Sequence, residues 1–164
     1  MITITLNQIR KAYPCASGWK QVLKAHKHLG MDAPFPISNV LESNGLADTL
    51  WCFKALDNKE IPQRFALWCA RRVETENSKK ALDVVEQYLD GKATKGELIA
   101  AANAAANAAN YANYAYYAAN AAANANYAYY AANAAASYAA ANAAANYANT
   151  QQAQVAKLKE MLDI

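Results

Sequence analysis

Over the first 97 positions, apolar residues recur at intervals of three and four, which predicts short amphipathic helices. Thr5 is placed to cap a first helix that buries Leu6 and Ile9. Pro14 stops it, because the residue before a proline is pushed out of the helical region. Ser17 opens a second helix with Trp19, Val22, Leu23, His26 and Leu29 on one side, and Gly30 fits the position just past its end. Residues 32–36 read as a loop. Ser38 starts a short helix through Val40 and Leu41, ended by Asn44-Gly45. The next helix runs through Leu46, Leu50, Phe53 and Leu56, and residues 57–59 turn the chain.

Pro62 suits the first turn of a helix that places Ile61, Phe65, Trp68, Cys69 and Val73 on one face, with Arg64 and Arg71 off it. Asn77-Ser78 caps the following helix, which turns Ala81, Leu82, Val85 and Leu89 inward and ends at Gly91. Thr94 and Glu97 have capping-box spacing, so a further helix starts there. No segment alternates with period two and β-branched enrichment. The chain reads as all-α, with Trp19, Trp51, Phe53, Phe65 and Trp68 as core aromatics.

Composition then divides the chain. All 29 charged side chains lie in residues 1–97 or 157–164. The 59 residues 98–156 hold 31 Ala, 11 Asn and 9 Tyr and no charge. The expected organisation is a mixed helical bundle over 1–97 and an Ala/Asn/Tyr-rich helical region over 98–164. The stretch 98–156 contains no Gly or Pro, and its alanines outweigh the modest helix penalty of Asn. As one helix it would be about 88 Å long; a helical hairpin is the compact alternative. An alternating seam from Ala101 and Ala104 to Asn146 is Ala at 11 of 14 positions, which would let helix backbones approach closely. Residues 113–123 and 126–136 both read NYAYYAANAAA. An offset of 13 turns the second copy by roughly 220° on a straight helix, so the copies face nearly opposite ways.

Tyr114, Tyr116, Tyr117, Tyr127, Tyr129 and Tyr130 are the large side chains of these repeats. Tyr offers contact area at low entropy cost, so they are the candidate partner-binding residues. The competing reading packs them on the mixed half or on a second copy of the tract.

Net charge is +3, yet residues 1–31 hold Arg10, Lys11, Lys20, Lys24 and Lys27 and no acid. Such a segment can meet phosphate or an acidic protein face, or simply be solvated. Nucleic acid is the less favoured partner, because the tyrosine tract has stacking rings but no cation. Cys15, Cys52 and Cys69 form no Cys-x-x-Cys and read as buried free thiols of a reducing cytoplasm. The N-terminus lacks a signal-peptide pattern, and the frequent Asn of the tract argues against a membrane span. No phosphate loop, metal-ligand spacing or nucleophile elbow occurs, so neither an enzyme nor a cofactor or metal site is expected. His26 and His28 do not share a helix face, and His26 reads as a core or boundary residue.

Several stretches resemble a group of small phage and bacterial proteins often labelled immunity proteins. They are residues 6–10 (LNQIR), 14–19 (PCASGW), 36–46 (PISNVLESNGL), 50–52 (LWC), 67–71 (LWCAR) and 80–86 (KALDVVE), leading into an Ala-rich tract. The resemblance implies an all-α, non-enzymatic protein of a phage or mobile element that neutralises another protein. In that group the non-Ala tract positions are commonly Arg or Asp; here they are Asn and Tyr. The leading expectation is therefore a cytoplasmic binding inhibitor, an immunity protein or a counter-defence protein such as an anti-CRISPR, which occludes its protein target with the Tyr/Asn face. Self-association through the Ala seam is the second expectation. Nucleic-acid binding by the basic N-terminal segment is the third.

Overall fold

The computed structural model describes residues 2–56, 59–72, 76–107 and 144–163. Among these the fold is all-α, with seven α-helices and one two-residue β-ribbon. The helices are α1 (Leu6–Lys11), α2 (Ala16–His26), α3 (Ser38–Cys52), α4 (Glu60–Arg71), α5 (Glu76–Leu89), α6 (Lys95–Asn107) and α7 (Ala144–Met161). The chain divides into two compact units, Met1–Asn58 with Val155–Ile164, and Lys59–Gln154. The boundary expected at residue 97 falls inside α6.

In the first unit, β1 (Thr3–Ile4) pairs antiparallel with β2 (Phe35–Pro36), Ile4 opposite Phe35. The ribbon carries two buried side chains, Ile4 and Phe35, into the core beside Leu6, Ile9, Val22, Ile37 and Val40. Thr5 caps α1 as its sequence predicts: its hydroxyl accepts from the Gln8 amide at 3.1 Å, and Gln8 Oε1 accepts from the Thr5 amide at 2.8 Å. Helix α1 ends at Lys11, before Pro14. Cys15, not Ser17, caps α2, its Sγ accepting from the Gly18 amide at 3.3 Å. Ser17 lies in the first turn of the helix.

The break expected at Asn44-Gly45 is present inside α3, which is two helices joined across a kink. Gly45 has φ +83° and ψ −178°, which interrupts α3 between its two halves. That backbone region is essentially open to Gly alone. A 3₁₀ turn, Phe53–Ala55, follows directly and buries Phe53. The C-terminal part of α7 belongs to the same unit and buries Leu158 and Leu162.

In the second unit, α5 packs against both α4 and α6. Their shared core is Leu67, Ala70, Ala81, Leu82, Val85 and Leu98, with Tyr88, Leu89, Ala101 and Ala102 packed around it. Helix α4 is buried more widely than its predicted stripe, because Ala66, Leu67 and Ala70 are buried along with Phe65 and Cys69. Helix α5 begins at Glu76, so Ser78 lies inside its first turn, buried, and is not its cap. It ends in a Schellman turn: Gly91, at φ +72°, bonds the Tyr88 carbonyl at 3.1 Å, and the Lys92 amide bonds the Gln87 carbonyl at 2.7 Å. The predicted capping box opens α6. The Thr94 amide donates to Glu97 Oε2 at 2.7 Å, and the Glu97 amide donates to the Thr94 hydroxyl at 3.3 Å.

The aromatic core is smaller than its sequence predicts. Phe53 and Phe65 are fully buried, whereas Trp19, Trp51 and Trp68 are half-buried. An indole is large and carries an N–H, so it settles at core boundaries more readily than phenyl does. Trp51 and Trp68 accordingly meet cations at their faces, Lys54 at 6.0 Å and Arg72 at 5.0 Å from the ring centroids.

Candidate functional site

The six candidate tyrosines, Tyr114, Tyr116, Tyr117, Tyr127, Tyr129 and Tyr130, lie outside the described residues. So do both NYAYYAANAAA repeats, the turn at 57–58, Val73 and most of the Ala seam. Of the seam, Ala101 is half-buried against the second unit's core and Ala104 is exposed.

Within the first unit the densest polar chemistry sits between α2 and α3. His26 is buried, and its ring stacks on Phe35 with centroids 4.7 Å apart. Its Nε2 lies 3.3 Å from the Asn39 carbonyl and 3.2 Å from the Ser43 hydroxyl. Ser43 gives its own proton to Asn44 Oδ1 at 2.8 Å, so its oxygen is free to accept. Both neighbours of Nε2 are thus acceptors, which assigns the proton to that nitrogen. Asn44 Nδ2 in turn donates to the Gly18 carbonyl at 2.9 Å and to Asp48 Oδ2 at 2.8 Å. Gln21 Nε2 donates to the Ser43 carbonyl. These bonds converge on the two residues before Gly45, so the network's evident work is to hold the kink of α3 against α2. His26 is a satisfied core histidine, as its position on the Trp19/Val22 side of α2 predicts.

The three thiols split into two kinds. Cys52 and Cys69 are buried, and burial pushes each up to about 12. Cys69 Sγ accepts from buried Gln154 Nε2 at 3.6 Å. Cys15 departs from the sequence expectation of burial, because as the cap of α2 it stands outside the helix, exposed. Its thiol is held below the ordinary range, first by its contact with the Ser17 hydroxyl at 3.4 Å and then by the Gly18 amide.

In the second unit, Arg64 and Arg71 leave the apolar face of α4, as predicted, and reach α5 and its end. Arg64 meets Glu60 at 3.0 Å and Asp90 at 3.2 Å. Arg71 bridges Asp83 and Glu86, each at 2.8 Å. They clamp one helix to the next. Among the described residues no group of three or more His, Cys, Asp or Glu is arranged to hold a metal ion.

The basic side chains of the N-terminal segment are on the surface. Arg10, Lys11, Lys20, Lys24 and Lys27 are all exposed. Between α1 and α2 stands Tyr13, 89% exposed and at φ +59°. A non-glycine residue in that region is uncommon and costs free energy. Tyr13 belongs to no helical stripe, so periodicity does not single it out; its one signal is that it is a large aromatic placed directly before Pro14.

Comparison with family models, curated proteins and solved structures finds no match. Among the described residues, no helix is long and apolar enough to cross a membrane.

Proposed function

We propose that this protein works by binding another protein and not by catalysis: a non-enzymatic inhibitor of the phage or mobile-element type, which occludes its target sterically. The observation that carries this reading is the charge-free stretch of 59 residues with its duplicated NYAYYAANAAA. A tract of Ala, Asn and Tyr without a single ion offers rigid aromatic contact area and neutral hydrogen bonding, the chemistry of protein recognition surfaces. The likeness of residues 6–98 to phage and bacterial immunity proteins supports it. The partner is then a host, toxin or defence protein in a bacterial cytoplasm, met by Tyr114, Tyr116, Tyr117, Tyr127, Tyr129 and Tyr130.

The test is affinity capture from bacterial lysate with the intact chain and with a variant carrying Ser at all six tyrosines. One protein recovered near stoichiometrically by the first and lost by the second is the expected result. Capture of nothing, or of the same proteins by both, refutes it. The Ala seam favours a second reading, self-association. Light scattering separates the two: a mass that rises with concentration assigns the tract to a second copy of the chain, and a strict monomer at high concentration refutes self-association.

A further inference from the structure

We propose that the exposed corner of α1 and α2 is a docking surface for single-stranded nucleic acid, with Lys20, Lys24, Lys27, Arg10 and Lys11 meeting phosphates and Tyr13 stacking on a base. This surface is separate from the tyrosine tract and does not depend on the tract's partner.

The charge is organised by the helix. Lys20 and Lys24, four residues apart, fall within about 40° of one another around α2, and Lys27 follows in the 3₁₀ turn at its end. That stripe lies opposite Val22 and His26, the buried residues of the same helix. Along the axis Lys20 and Lys24 are about 6 Å apart, close enough to follow successive phosphates of one strand. Arg10 and Lys11 lie in the last turn of α1, which Ala12 separates from Tyr13. None of the five cations pairs with a carboxylate among the described residues. Asp32, the first acid in the chain, is engaged by Asn7 Nδ2 at 2.6 Å. Asp48 of α3 stands beside the first turn of α2, near Gly18 and Cys15, where Asn44 Nδ2 donates to it. With five cations against this one nearby carboxylate, the surface is predominantly positive and complementary to a polyanion.

Tyr13 decides which polyanion. Packing does not explain its ring, which is almost fully exposed just past the end of α1. An exposed ring beside unpaired cations is the combination that binds single strands, where every base offers a face for stacking. Duplex bases are stacked on one another and give such a ring nothing to stack on. An acidic polypeptide would satisfy the cations but not the ring.

The experiment is fluorescence anisotropy of a labelled 20-mer oligo-dT with the full-length protein, repeated with the matching duplex and with poly-glutamate as competitor. Binding is expected at 50 mM salt, weakened roughly 100-fold at 200 mM if about five phosphates are met. Lys20→Ala with Lys24→Ala lowers the slope of log affinity against log salt by about 1.4. Tyr13→Ala weakens binding roughly tenfold with the slope unchanged, and Tyr13→Phe keeps it, because stacking needs the ring alone. The Tyr13 variants remove no buried contact, so circular dichroism matching the parent protein certifies their fold. No binding at 50 mM salt overturns the proposal. Equal affinity for the duplex, or indifference to Tyr13→Ala, also overturns it. Displacement by poly-glutamate at equal charge concentration reassigns the surface to an acidic polypeptide and overturns it too.

Discussion

Gly18 of α2 lies so near Asp48 of α3 that a Cβ on it would stand 2.8 Å from Asp48 Oδ2. The carboxylate is not free to move aside without loss, because Asn44 Nδ2 donates to the same oxygen at 2.8 Å. The absence of one methyl group on α2 thus sets how closely the kinked helix packs. Gly18→Ala is expected to destabilise the protein by about 1 kcal/mol: a charge-assisted bond worth roughly 1.5–3 kcal/mol is strained, and Ala's helix propensity returns up to about 1 kcal/mol. Urea unfolding of the single and double variants checks it. In an Asp48→Ala background the same substitution should become neutral or stabilising; an unchanged cost there removes Asp48 from the explanation.

Gly45 is expected to resist replacement for a different reason. A Cβ there meets nothing within 4 Å, so the whole cost comes from φ +83°. Gly45→Ala should lose about 1–3 kcal/mol. A D-alanine introduced at the same position by chemical ligation should lose little, since positive φ is its natural region. Equal losses for the two enantiomers would mean that the methyl itself is at fault.

The thiols should react in a fixed order. Cys15 is exposed and its thiol is held low, whereas burial pushes Cys52 and Cys69 up to about 12. At pH 7.5 a single equivalent of iodoacetamide should label Cys15 in the native protein. The other two should react only after denaturation, as read by peptide mass spectrometry. Native labelling of Cys69 would show that the bond from Gln154 is opened readily.

Acid should weaken the second unit through two carboxyls. The Arg64 guanidinium, then Lys92, holds Asp90 below its ordinary 3.8, and the Thr94 amide and hydroxyl hold Glu97 below its ordinary 4.5. Lowered folded values mean that the unfolded chain takes up these protons first, so the stabilisation is complete above about pH 5 and is lost as pH falls through the folded values. Asp90→Asn and Glu97→Gln should each flatten the acid limb of a stability-against-pH curve and leave its shape above pH 6 unchanged. A steeper acid limb in either variant contradicts the assignment. Both groups are surface groups, so the effect should shrink in high salt.

The shared core of α4, α5 and α6 sets the largest expected loss. Leu82 is fully buried at its centre. Leu82→Ala should cost about 3 kcal/mol, within the range for a buried leucine. Arg71→Ala should cost less, about 1 kcal/mol or below, because Asp83 and Glu86 remain substantially exposed. Thermal melts of the two variants give the order directly, and a larger loss for Arg71→Ala would mean that the ion-pair clamp holds these helices more strongly than their apolar core does.

Local signals in this chain act within a few residues, and those were legible. Thr5 with Gln8, Thr94 with Glu97, Pro14, Gly91 and the three-and-four spacing of Leu82, Val85 and Leu89 each specify a helix or its end through bonds and sterics inside one turn. The all-α class follows from them, and so does the placing of Arg64 and Arg71 off the apolar face. What tertiary structure decided depends on neighbours distant in sequence. It placed Cys15 outside α2, left three indoles at core boundaries, and buried Leu67 and Ala70 because α5 lies on them. It also joined Gly18 to Asp48 across 30 residues of chain and left Tyr13 alone in the solvent. Composition and periodicity carry no record of which helix faces which, so packing partners and exposed corners emerge only when the helices meet.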